Sequence, residues 1–143
     1  MATRREQILV ALTSQLTGTT GVGTRIYRSR VEPVARAESS ALIIEPVSDN
    51  TTQNTSLPTL DHNLTVRVVV IVRATVPDQA ADPIIESLHA KLMADLSLGG
   101  LAIDIQPVST EFTLEAADTP VGVIFCTYRV LYRTKVNDLS QAP

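Results

Sequence analysis

Tryptophan is absent from the 143-residue sequence, cysteine occurs once, and phenylalanine and tyrosine bring the aromatic share to only 3%. Proteins that hold nucleic acid by stacking on its bases need rings and a basic footprint. Here charged residues make up 19%, the net charge is -3 and the pI is near 5.3, so nucleic-acid binding is disfavoured. Few rings also leave little material for a small-ligand pocket. The single cysteine, Cys126, excludes an internal disulfide framework and a multi-cysteine zinc site, which suits a reducing compartment. No apolar run nears the roughly 18 residues that cross a bilayer, the longest being 68–72. The stretch 8–12 is too short and too interrupted for an export signal. A soluble protein of the cytosol is therefore expected, and the sequons beginning at Asn50, Asn54 and Asn63 read as chance matches.

What is present is an ordinary apolar fraction of 44%, enough for one domain spanning residues 1–143. Thr3 followed by Glu6 reads as a capping box, and Ile8, Leu9, Leu12 and Leu16 form one helical stripe, so a first helix is expected over 3–17. Gly18, Gly21 and Gly23 lack the Gly-Lys-Ser/Thr of a phosphate loop and leave a helix where such a loop leaves a strand, so they read as a plain turn. Short strands are expected over 26–30 and 41–45, the second stopped by Pro46, and the two could pair. Residues 47–59 are too polar to bury and longer than most connections, which suggests a long arm, either a hairpin or a mobile loop.

Over 60–75 the pattern turns strongly β, with Leu64, Val66, Val68, Val70 and Val72 on one uniformly apolar face and Thr65, Arg67, Val69, Ile71 and Arg73 on the other, mixed one. Asp82 as N-cap and Pro83 at the first helical position open an expected second helix that ends near Leu96. Two short strands are then expected, over 101–106 and 110–115, followed by a long one over 121–134. On that last strand Ile124, Cys126, Tyr128, Val130 and Tyr132 share a face opposite Phe125, Arg129, Leu131 and Arg133. Strands bracketing two helices point to an α+β fold, a mostly antiparallel sheet with both helices on one face. Residues 137–143 are expected to be a frayed tail.

Catalytic chemistry finds no motif. Glu86 and His89 have the spacing of one half of a di-iron bundle site, but no second copy exists. Asp61 and His62 are adjacent on a strand and so point to opposite faces, which prevents one from orienting the other. Cys126 lies on the apolar face of its strand, where a thiol is an inert small hydrophobe. No catalytic, metal or cofactor residue is assigned and no enzyme activity is expected. The unusual feature is arginine on sheet faces that also carry apolar residues. Arg67, Arg73, Arg129, Arg133, Phe125 and Leu131 are candidates either for a solvated face or for a subunit interface. The arm adds Asn50, Thr52, Asn54 and Leu57 as candidate contacts. Charge is uneven as well: residues 1–75 hold 8 Lys/Arg against 6 Asp/Glu, and residues 76–143 hold 4 against 9. Halves of opposite sign suit head-to-tail association of identical copies.

Taken in order, several segments carry a family resemblance. They are 5–16, Arg25-Ile26-Tyr27-Arg28-Ser29-Arg30, Ser40-Ala41-Leu42-Ile43-Ile44-Glu45-Pro46, 60–66, the helix exit with Asp95, Leu98 and Gly99-Gly100, and Tyr128-Arg129-Val130-Leu131-Tyr132-Arg133-Thr134. As a set the sequence resembles the tail terminator proteins of long-tailed bacteriophages, the lambda minor-tail-protein-U-like group, and the related small neck and tail-completion proteins. The resemblance implies an α+β virion subunit at the head-proximal end of the tail. Such a subunit closes into a ring of itself, expected to be a hexamer, and caps the tube of the major tail tube protein. It stops further growth of the tube and offers a docking face to the head-completion or neck protein. DNA would pass through the lumen without specific binding, and no membrane partner is implied. A neck or head-completion protein is the alternative, and a monomeric intracellular binding module a more distant one.

Overall fold

The computed structural model describes residues 2–28, 40–53, 58–115 and 119–143. Helix α1 (Arg4–Leu16) starts where expected: Thr3 is extended, and its Oγ1 accepts the Glu6 N–H at 3.2 Å. Only this half of the capping box forms. The Glu6 carboxylate turns away to a bidentate contact with Arg28 at 3.0 and 3.1 Å, which ties the helix to strand β1 (Ile26–Arg28) and lowers the Glu6 pKa. The glycines at 18, 21 and 23 all have positive φ and turn the chain between the two.

β1 pairs in parallel with β2 (Ser40–Thr52), opposite Leu42, Ile43 and Ile44. The expected stop at Pro46 is not observed; β2 continues for six more residues as one side of a hairpin with β3 (Thr59–Arg73). Proline is tolerated because, among the described residues, β1 reaches no further than Ile44 and no strand pairs with Pro46 on that side, and because Val47 is an extra residue that shifts the register. The arm expected over 47–59 is thus a paired hairpin as far as Thr52, while Asn54 and Leu57 lie outside the described residues.

The second helix also departs from expectation. Helix α2 (Pro77–Met93) begins six residues before Pro83, with Val76 as an N-cap that makes no side-chain bond, Pro77 at the first helical position and Asp78 in the first turn. Two prolines competed for the same start signal. The earlier one prevails because Pro77 and Ala81 bury against the sheet along with Ile84, Leu88 and Leu92. Pro83 sits on the exposed side of the helix, as does Gln79, whose carbonyl has no N–H from Pro83 to accept. The helix stops at Met93, short of Leu96. Asp95 then closes the exit by accepting the N–H groups of Ser97 and Gly99, and Leu98 to Gly100 all have positive φ.

The two strands expected over 101–106 and 110–115 are one strand, β4 (Asp104–Glu115). Leu101 belongs to the preceding turn and Ile103 is 55% exposed, so the alternation there is not a strand pattern. β5 (Val121–Lys135) completes a five-stranded sheet in the order β1-β2-β3-β5-β4, antiparallel except at β1. Even-numbered residues of β3 and β5 face the two helices and form the core with Ile8, Leu12, Leu16, Leu42, Ile44, Leu88 and Leu92. The fold is α+β with both helices on one face.

A feature not anticipated is the repetition of Pro-Val-Ser at 46–48 and 107–109. Both copies make a bulge, with Val47 and Val108 as the extra residues. Pro46 lies opposite Val66, Val66 opposite Tyr128, and Tyr128 opposite Pro107, so the two bulges fall on a single row across the sheet.

Candidate functional site

The face turned away from the helices is built by the odd-numbered residues of β3 and β5, whose register sets them in rungs. Ile71 is opposite Val123, Val69 opposite Phe125, Arg67 opposite Thr127, Thr65 opposite Arg129, Asn63 opposite Leu131 and Asp61 opposite Arg133. β2 extends the rungs with Ile43 beside Val69, Glu45 beside Arg67, Asn50 beside Asn63 and Thr52 beside Asp61. Every described candidate therefore shares one face: Arg67, Arg73, Arg129, Arg133, Phe125, Leu131, Asn50 and Thr52. No described helix or strand covers it.

The face is graded. One end is apolar, with Ile43, Val69, Ile71, Val123 and Phe125, and the arm end is polar. Arg67 bridges the two, pairing with Glu45 at 2.9 Å while its guanidinium lies 5.1 Å above the Phe125 ring. Arg133 pairs with Asp61 across the rung at 2.6 Å. Arg129, between Thr65 and Gln106, has no ion pair among the described residues. Arg67 and Arg133 thus each carry a counter-charge from a neighbouring strand.

On the opposite side of the arm lies a cluster that sequence reading missed. His62 is buried, its ring stacked on Tyr132 at 4.3 Å, with Nε2 2.8 Å from Thr134 Oγ1 and Nδ1 3.3 Å from both Asp49 and Thr51. Asp49 also receives the Tyr132 hydroxyl and, at 3.2 Å, the Arg5 guanidinium. Burial first, and the Asp49 carboxylate second, raise the Tyr132 pKa far above that of a free phenol. The sequence excluded Asp61 as a partner for His62 correctly, but the carboxylate comes from across the hairpin, brought into place by the bulge at Val47. Thr134, His62 and Asp49 are in the order of a nucleophile, a base and an orienting acid. Yet the Thr134 hydroxyl is fully buried, so the cluster is arranged as a tie between α1, β2, β3 and β5 rather than as a reaction centre.

The remaining chemistry is inert or isolated. His89 Nδ1 meets the Tyr128 hydroxyl at 2.9 Å. Cys126 is buried in the core and its thiol is pushed up to about 11 by desolvation. Among the described residues no group of three or more metal-ligating side chains is assembled, and no helix is long and apolar enough to cross a membrane.

No known protein family and no curated protein matches the chain. Among solved structures, a chain of the "Virion of native gene transfer agent (GTA) particle" is similar, with a TM-score of 0.52 over 88% of this chain and 94% of that one. The two share a fold. At 12% identity the likeness concerns the path of the backbone and not the residues of the helix-free face.

Proposed function

We propose that the chain is a structural subunit of a virion particle, and more narrowly a tail terminator: a ring that caps the tail tube, stops its growth and offers a surface to the head or neck. The observation that carries this reading is a backbone shared with a virion chain over nearly the full length of both. The partly exposed sheet face that carries Arg67, Arg129 and Arg133 beside Phe125 and Leu131 agrees with an assembly role. In this reading the helix-free face contacts the tube or a neighbouring subunit. The arm, 47–59, carries Asn50, Thr52, Asn54 and Leu57 towards that neighbour.

Deleting the gene from a phage or phage-like element that encodes it tests the role. A terminator leaves tubes that grow past their normal length and fail to join heads. Tails of normal length beside unjoined, DNA-filled heads would assign the chain to the neck instead. Particles unchanged in form and number would remove it from virion assembly altogether.

A further inference from the structure

β4 is one margin of the sheet, and every residue from 106 to 115 is exposed. Exposed edge strands recruit other strands unless proline, bulges or inward charges protect them. Pro107 and the bulge at Val108 protect the first half; 110–115 is regular and unprotected. Phe112 and Leu114 project from it at 58% and 64% exposure, on the side of the sheet that carries the helices, because they lie opposite Ile124 and Gly122. The strand carries Asp104, Glu111 and Glu115 and no basic residue.

The other margin offers a match. β1 covers β2 only over residues 42–44, so beyond it 46–52 has one main-chain edge that no described strand pairs. Within that stretch Pro46 and the bulge at Val47 guard the near end as their counterparts guard β4, which leaves 48–52, of similar length to 110–115 and paired on that side by no described strand. It is flanked by the start of α1, where Arg5 reaches Asp49 with its side chain 43% exposed and Arg4 stands next to it. Acidic strand and arginine-flanked edge are complementary, and each copy carries one of each.

We propose that β4 of one copy adds as a strand to residues 48–52 of β2 in the next, joining identical subunits head to tail. This names the joint within the ring reading given above and rests on it.

The test uses thiol cross-linking on the full chain, in which the native Cys126 is buried. Thr113→Cys and Asn50→Cys, both at exposed positions, are mixed and treated with a short bismaleimide. The expected result is a mixed dimer that neither variant forms alone, and a ladder of multimers when one chain carries both substitutions. Leu114→Asp, which removes an exposed apolar contact, should weaken self-association at least tenfold while the circular dichroism spectrum is unchanged. An assembly of ring mass that gives no mixed dimer, or that cross-links Thr113→Cys to itself, overturns this joint and leaves the ring reading standing. A monomer at every concentration with no cross-linked product overturns both.

Discussion

On the helix-free face Arg129 has no ion pair among the described residues, and it separates a solvated face from a contact. Arg129 is half-buried and Arg129→Glu replaces a long side chain by a shorter polar one without entering the core, a change of about 1 kcal/mol or less, so the variant is expected to fold. A charge reversal inside a desolvated contact costs about several kcal/mol at each joint, so the same variant should fail in tail completion. Arg133→Glu is a less clean probe, since it also sets two carboxylates face to face with Asp61. Tails of normal length with Arg129 reversed would mean that this face is only wetted. Cys126, on the core side of β5, gives a prediction of a different kind. Burial raises its thiol from about 9 to about 11 and the Tyr128 phenol from about 10 to about 12. An acid whose pKa is raised by folding contributes its stability in full below its unfolded value, and that contribution is lost as pH climbs through the folded value. The denaturation midpoint should therefore be flat up to about pH 9 and fall between pH 9 and 12. Cys126→Ala should delay the onset by about one pH unit, which a urea series at fixed pH values would read directly.

At the scale of elements, the docking of α2 depends on a missing side chain. A Cβ placed on Gly122 would meet the Pro77 Cβ at 2.6 Å, so the first turn of the helix lies directly on β5. Gly122→Ala must push that turn outward, and overpacking of this kind costs about 1–3 kcal/mol, to be seen as a drop of several degrees in Tm. The arm is held by a different means, the Asp49 cluster. Asp49→Ala leaves the Tyr132 hydroxyl without its acceptor and the His62 ring without its carboxylate, with only Thr51 and Thr134 beside it, a loss of about 1–3 kcal/mol for buried groups. Limited proteolysis should then cut within 47–59 sooner than in the core strands; an arm as resistant as in the wild type would show that the cluster does not hold it. Which of these elements could be read in advance follows from their physics. β3 and β5 were legible residue by residue, because a long strand with one buried face writes its period of two into the sequence. The start of α2 was not, because both Pro77 and Pro83 are followed or preceded by an acidic residue and only tertiary burial chooses between them. Nor was the Asp49–His62 pairing, because it depends on a register that one extra valine resets. The shared face of the candidate arginines was visible; that Glu45 and Asp61 neutralise two of them was not, since cross-strand partners are set by register.

For the molecule as a whole, the row Pro46, Val66, Tyr128 and Pro107 acts as a crease. The two inner strands run through it without interruption, while both flanking strands loosen their ladders at the same height. Deleting Val47 and Val108 together would close both ladders without moving the pairing beyond them. Hydrogen exchange at the flanking amides should then slow by more than tenfold if the row is as compliant as its bulges suggest. On the helix side the core continues past this line through Leu64, Ile105, Val130 and Tyr132, so the crease is confined to the two flanking strands and the packing is carried across it by β3 and β5. Such a subunit is a tile notched at both rims and whole across its middle. Whatever irregularity it offers a neighbour lies in β2 and β4, while the β3–β5 ladder runs unbroken between them.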